Sequence, residues 1–94
     1  MQDKQTQKKV LNKLKSFITK NNIDLNVRVL DIGCSDVRLY SQYLIDNAAY
    51  YIGVDINEKS ISIAKKKYNK KNTNFHLMNS EEIISLKKTF DLVI

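Results

Sequence analysis

The sequence predicts an α/β fold in which parallel strands form one doubly wound sheet with helices on both faces. Short apolar runs recur along the 94 residues, and the segments between them carry apolar residues at helical spacing. The chain has no proline, and the connections between runs are short. Strands that alternate with helices over short connections specify parallel strands joined by right-handed crossovers.

The first elements are an amphipathic helix and a buried strand. Residues 5–21 place Val10, Leu14 and Ile18 on one side and lysines on the other, which predicts a leading helix within residues 1–22. RVLDIG then predicts a buried strand. DVRLYSQYLIDN predicts a helix that begins at Asp36, because aspartate caps helix N-termini well.

The same alternation continues to the last residue. AYYIGVD predicts a second strand, and NEKSISIAKKKYNKK a helix capped by Asn57. NFHLMN predicts a third strand, SEEIISL a short helix capped by Ser80, and FDLVI a fourth strand. We therefore predict a Rossmann-like doubly wound sheet of about four strands, with its core in residues 28–94.

Composition restricts the partners and the location. The net charge is +6, and fourteen of the sixteen basic residues are lysines, which fits either a nucleic-acid partner or the amino-acid bias of AT-rich coding. No apolar run approaches the roughly 20 residues of a membrane span, so no membrane partner is expected. The single cysteine and the polar start MQDKQTQKKV predict a cytoplasmic location.

Small and polar residues follow the first three predicted strands, and they form the candidate site. In doubly wound sheets ligands bind beyond the carboxyl ends of the strands, next to the place where strand order reverses. The residues at those ends are 31–36, 55–57, and the pair 79 and 80. No metal site is expected among them.

These segments resemble the successive cofactor motifs of class I S-adenosylmethionine-dependent methyltransferases. The motifs are VLDIGCS, IGVDIN and FHLMNSEE, with 24 residues from Asp31 to Asp55 and 24 more to Asn79. FDLVI resembles the fourth strand of the same fold. The resemblance implies strand order 3-2-1-4 and a single partial domain over residues 1–94, a truncated form of the family's seven-stranded sheet. The resemblance implies that S-adenosylmethionine (SAM) is the cofactor and that its methyl group is transferred to an acceptor, which the sequence does not identify.

The chemistry of SAM suits the residues at these positions. Gly33 lets the backbone approach a ligand closely, and Asp31 is placed to attract the methionine amine, directly or through water. Asp55 can accept both ribose hydroxyls in charge-assisted hydrogen bonds. The remaining cofactor contacts are expected from the loop, the adenine face and the adenine edge: Cys34, Ser35, Ile56, Asn79 and Ser80.

Each assignment competes with a local structural explanation. Asp31 and Asp55 can serve as ordinary turn or capping carboxylates, and Asn79 with Ser80 can be a turn and a helix cap.

Three further residues are expected to be structural. Gly53 is expected to allow close packing rather than to contact a ligand. Cys34 is expected to be a small loop side chain rather than a nucleophile, and His76, in mid-strand, a structural residue.

Two loop residues depart from the methyltransferase pattern, which usually has glycine at the position of Ser35 and often at that of Val37. Ser35 is small, and its backbone can still meet an anionic group near a helix N-terminus. A β-branched residue tolerates positive φ poorly, so we expect ordinary torsions at Val37 or a displaced loop, with weakened cofactor affinity.

Two other classes of function stay open. A nicotinamide-dependent oxidoreductase would need glycine partners for Gly33 in its loop, and these are missing. A non-catalytic scaffold, regulatory or nucleic-acid-binding module is the second alternative. Catalytic residues are expected beyond Ile94, so the chain is expected to be the cofactor half of a longer protein, with an open sheet edge that favours self-association.

Overall fold

The structure is a computed structural model that describes residues 3–87 and 89–94, without the side chains of Ser80 and Lys87. Its helices and strands are, in chain order, α1 Lys4–Lys20, β1 Arg28–Ile32, α2 Leu39–Asn47, β2 Tyr50–Asp55, α3 Glu58–Lys67, β3 Thr73–Leu77, α4 Ser80–Lys87 and β4 Leu92–Val93. The strands of this part form a parallel sheet in the order β3-β2-β1-β4. The predicted fold class and strand order are therefore confirmed.

Helices α1 and α3 each begin after a residue whose side chain caps the helix N-terminus. Asp3 accepts a hydrogen bond from the backbone N–H of Thr6 at 2.7 Å, which caps α1. Asn57 does the same for α3 by accepting from the N–H of Ser60 at 3.0 Å, as the sequence predicts.

The predicted N-cap of α2 is wrong. The helix begins at Leu39 rather than at Asp36, because residues 33–38 form a loop that contains left-handed torsions. Arg38 occupies the capping position without a side-chain hydrogen bond to the helix. The side chain of Gln7 in α1 replaces it, because its Oε1 accepts from the N–H of Leu39 at 3.2 Å.

The predicted cap of α4 is also wrong. Ser80 is the first helical residue, and its side chain lies outside the described residues. Asn79 caps the helix instead, because its Oδ1 accepts from the N–H of Glu82 at 2.9 Å. The Oε1 of Glu82 in turn accepts from the N–H of Asn79 at 3.4 Å, which completes a reciprocal capping box.

The alternation of side chains along the strands divides the core between the two faces of the sheet. Val29 and Tyr51 face α1, α2 and α3 in the larger apolar cluster, which also contains Phe75. Leu30 and Ile52 point the other way and pack with Ile83 of α4. Because successive strand residues face opposite sides, one sheet serves both layers of helices.

Gly53 allows close packing at the centre of the sheet, as the sequence predicts. It lies in register between Asp31 of β1 and Phe75 of β3. A Cβ at this position would lie 2.9 Å from the Cys34 sulfur, the Phe75 ring and the Tyr51 hydroxyl. The absence of a side chain therefore lets these three groups converge.

The β4 edge is held by backbone pairing and one surface ion pair. Ile94 donates to the carbonyl of Leu30 at 2.9 Å and accepts from Ile32 at 2.8 Å. Arg28 Nε lies 3.3 Å from Asp91 Oδ2, an exposed pair that contributes little stability. Self-association through this edge stays a prediction.

Among residues 3–87 and 89–94, no helix combines the length and apolarity that crossing a membrane requires.

Replacement of Gly53 by alanine should lower the free energy of unfolding by about 1 to 3 kcal/mol, because the added methyl group overpacks a buried site. Urea unfolding followed by circular dichroism measures this loss. Ser85→Ala, on the exposed face of α4, is the control and should stay within about 0.5 kcal/mol of the unmodified chain. Equal midpoints for Gly53→Ala and the unmodified chain would contradict the packing described.

Candidate functional site

The carboxyl ends of β1, β2 and β3 are joined by backbone hydrogen bonds. The N–H groups of Gly33 and Cys34 both donate to the carbonyl of Val54, at 2.8 and 3.1 Å. Met78 donates to the carbonyl of Asp55 at 3.0 Å. The three segments that the sequence singles out are thus brought to one edge of the sheet.

The loop after β1 keeps a left-handed conformation at every second residue. The φ angles are +74° at Gly33, +55° at Ser35 and +70° at Val37. The expectation of ordinary torsions at Val37 is therefore wrong. Its side chain packs against the main core cluster and its N–H donates to the carbonyl of Cys34, so tertiary contacts offset a torsional cost of about 1–2 kcal/mol.

Asp55, at the tip of β2, holds this loop in place. Its Oδ2 accepts from the N–H of Ser35 at 2.9 Å, and its Oδ1 accepts from the N–H of Asn57 at 2.9 Å. The side chain is only half-buried. An ionised carboxylate has about four acceptor sites, so two remain for a ligand at the sheet edge.

Asp31 lies beneath the loop rather than on its surface. Its side chain is fully buried, and Oδ2 accepts from the hydroxyls of Ser41 at 2.5 Å and Tyr51 at 2.6 Å. The other oxygen, Oδ1, is buried without a hydrogen-bond partner in the described chain. Burial raises the pKa of Asp31 to about 6, and the bonds from Ser41 and Tyr51 only partly oppose this effect.

Cys34 contributes its backbone to the site, while its thiol is turned into the core. The side chain is fully buried, and burial together with the nearby Asp31 raises the pKa of the thiol. A buried thiol that keeps its proton is a poor nucleophile. These features agree with the expectation that Cys34 fills space.

An apolar slot of about 270 Å³ opens between the ends of β2 and β3. Ile56 and Leu77 are 78% and 49% exposed there, which is unusual for large apolar side chains. Asn79 and Glu82 form its polar rim, and Met78 completes its lining. The Oδ1 of Asn79 already caps α4, so this residue combines the local role with a position beside the slot.

A second concavity, which we call the basic groove, lies between the loop and α3. Its volume is about 470 Å³. The residues that line it are Gln7, Ser35, Asp36, Val37, Arg38, Asn57, Lys59, Ser60, Ile63 and Lys67. Of the predicted cofactor residues whose side chains the structure describes, only Ser35 belongs to it, so the groove and the apolar slot are separate.

Several of these features were missed by the sequence analysis. The bonds from Ser41 and Tyr51 to Asp31 join residues ten and twenty positions apart, and no motif marks them. The sequence carries one signal for these bonds: Ser41 is a polar residue among the apolar residues on the inner face of α2. The lysines of the basic groove contribute to the net charge that the sequence shows, but no pattern in the sequence places them in one groove. His76 lies exposed on β3 and lines neither concavity.

The sequence profile of a family described as "Methyltransferase domain" matches residues 23–94. The chain belongs to this methyltransferase domain family. The match includes all four strands of the sheet and the three loops at its carboxyl edge. No curated protein matches the chain significantly.

Solved structures share the fold of this methyltransferase domain. The plantazolicin methyltransferase BpumL, in complex with a monoazolic desmethylPZN analog and SAH, has a TM-score of 0.66 at 24% identity over 94% of the chain. The magnesium protoporphyrin IX methyltransferase from Synechocystis, with bound SAM, has a TM-score of 0.57 at 22% identity over 81% of the chain. A SAM-dependent methyltransferase from Mesorhizobium loti has a TM-score of 0.51 at 20% identity over 57% of the chain. The chain spans only 34%, 36% and 25% of those three proteins.

The left-handed torsion at Val37 should reverse the usual ranking of alanine and glycine. Both Val37→Ala and Val37→Gly remove the side chain, so they lose similar packing. At φ near +70°, glycine is free of strain, and Val37→Gly should be the more stable variant by about 1 kcal/mol. Thermal and urea unfolding of the two variants measures the difference. An alanine variant more stable than the glycine variant would show a negative φ in solution.

Ionisation of Asp31 should make the domain less stable as the pH rises from 3.8 through about 6. Its folded-state pKa of about 6 exceeds the ordinary value of 3.8, so its stabilising contribution is complete below pH 3.8 and lost as the pH rises through 6. Asp31→Asn keeps an acceptor for Ser41 and Tyr51 without the charge. Relative to wild type, it should gain about 3 kcal/mol between pH 3.8 and pH 8, measured by urea unfolding.

Asp46→Asn is the matched control for this measurement. Asp46 is an exposed carboxylate paired with Lys70 at 3.4 Å, so its loss should leave the pH profile nearly unchanged. Parallel pH profiles for Asp31→Asn and wild type would show that Asp31 keeps an ordinary pKa in the folded protein.

Proposed function

We propose that this domain binds SAM across the carboxyl ends of β1, β2 and β3 and belongs to an enzyme that transfers its methyl group to an acceptor. The observation that carries the proposal is the position of Asp55. Its carboxylate stands between the left-handed loop and the apolar slot, with acceptor capacity left for a diol. Family membership and the shared fold support it.

The residues at the site suit the three chemically different parts of SAM, which are the ribose, the adenine and the methionine end. Asp55 would accept the ribose hydroxyls, and Ile56 with Leu77 would cover the faces of the adenine. The loop of residues 33–35 would lie beside the methionine end, and the carbonyl of Val54 and the carboxylate of Asp55 hold its backbone N–H groups in place. When bound, SAM supplies an electrophilic methyl group on a sulfonium.

The unpartnered oxygen of Asp31 supports the same orientation. A buried carboxylate oxygen without a donor is costly, and a cationic amine above the loop would lower that cost by its field or through a bridging water. The network of Ser41 and Tyr51 fixes the carboxylate in position. This chain therefore binds and orients, whereas proton removal from the acceptor is not assigned to any of its residues.

We also propose a cytoplasmic location. Cys34, the single cysteine, is buried and forms no disulfide, which is usual in compartments where thiols stay reduced.

Isothermal titration of SAM and its demethylated product tests the cofactor assignment. Asp55→Ala should weaken binding roughly 10- to 150-fold, because it removes charge-assisted hydrogen bonds to the ribose. Asp55→Asn keeps an acceptor for the Ser35 N–H and should still lose affinity, which separates ribose binding from the support of the loop. Circular dichroism confirms that each variant is folded.

His76→Ala is the control, since His76 is exposed and lines neither concavity. Its affinity for SAM should equal that of the unmodified chain. Binding of NAD in place of SAM would favour an oxidoreductase, and binding of neither would favour a non-catalytic scaffold. Equal SAM affinity in the Asp55→Ala variant would refute the ribose assignment.

A further inference from the structure

The basic residues of the chain are concentrated in two helical segments. Helix α1 carries six lysines and no acidic residue, and α3 with its following turn, residues 58–71, carries six lysines and one glutamate. These 31 residues therefore have a net charge of +11, while the other 63 have −5, which together give the total of +6. We call the two segments the basic layer.

Both segments of the basic layer lie on the same face of the sheet, next to α2. Helices α1 and α3 contribute to the same core cluster, and one lysine from α1 and one from the turn after α3 reach α2. The Lys15 Nζ lies 5.1 Å from the centroid of the Tyr43 ring, and Lys70 pairs with Asp46 at 3.4 Å. The other two helices are not basic in the same way, because α2 contains no lysine or arginine and α4 has two glutamates in its first turn.

The basic groove lies where the two parts of the basic layer meet. Gln7 of α1 lines one end, Arg38 lies in the loop, and Lys59 and Lys67 line the α3 side. In the part of the chain that the structure describes, neither Arg38 nor Lys59 forms an ion pair, and Lys67 reaches only the carbonyl of Asp36 at 3.4 Å. Asp36 is the single acidic residue of the lining.

We propose that the basic layer binds a nucleic acid through its phosphate backbone, with the basic groove seating the strand. The twelve lysines of the basic layer attract phosphates as point charges, and the layer contains no arginine, whose planar fork suits bidentate base contacts best. The groove is concave and flanked by positive charge, which fits a phosphodiester strand better than the flat surface of a bilayer. Helix α1 is about 25 Å long, enough to follow several phosphates. This inference does not rest on the binding of SAM.

Fluorescence anisotropy with labelled 20-nucleotide RNA and DNA, single- and double-stranded and of mixed sequence, tests the proposal without SAM. The chain should bind with an affinity that falls steeply as salt rises. The variant Lys59→Gln/Lys67→Gln should bind single strands about tenfold more weakly at roughly 0.1 M salt. The slope of log K against log salt should fall in magnitude by about 1.4, which corresponds to two lost phosphate contacts.

The matched control is Arg28→Gln/Ser85→Glu, which changes the net charge by the same two units away from the basic layer. It should retain the affinity and the salt slope of the unmodified chain. Circular dichroism checks the fold of each variant, and the single substitutions Lys59→Gln and Lys67→Gln decide the matter if the double variant does not fold.

Three results would overturn the proposal. The first is an equal loss in both double variants, which would show an effect of net charge alone. The second is no binding of any of the four oligonucleotides at about 0.05 M salt. The third is binding to phosphatidylserine vesicles without binding to oligonucleotides, which would assign the basic layer to a membrane surface.

Discussion

The hydrogen bonds of the Asp55 carboxylate connect the strands of this domain to its loops. One oxygen holds the backbone of Ser35 and the other holds that of Asn57, so a single side chain ties the loop after β1 to the start of α3. The apolar slot and the basic groove lie on either side of this junction. Without it, the loop would have to retain its left-handed torsions through core packing and the bonds to Val54 alone.

The fold could be predicted because it depends on patterns that are local in the sequence. The apolar runs predict each strand, and the helical spacing predicts each helix to within a few residues. Two helix starts were missed because the capping group was not the obvious one: Gln7 caps α2 from another helix, and Asn79 rather than Ser80 caps α4. The first case depends on a contact across 32 positions, and the second on which of two adjacent capping residues precedes the helix.

The positions of the candidate site residues in the fold were predicted in part. The strand-end positions of Asp55 and Asn79 follow from the order of strands, because parallel strands end at the same edge. The burial of Asp31 did not follow, since it depends on the register that places Gly53 opposite and on the hydroxyls of Ser41 and Tyr51. The torsion at Val37 was predicted wrongly, because intrinsic preference favours negative φ whereas packing against the core fixes the opposite sign.

The alternation of left-handed residues in the loop also determines where the domain opens most easily. The positive φ angles of Ser35 and Val37 are unfavourable, and only contacts in the folded structure offset them. When the loop detaches, relief of this strain lowers the free-energy cost of breaking its contacts. Local fluctuations are therefore expected to begin at this segment rather than in the central strands. Opening of the loop would break the bond from the Ser35 N–H to Asp55 and leave that carboxylate oxygen without its backbone donor.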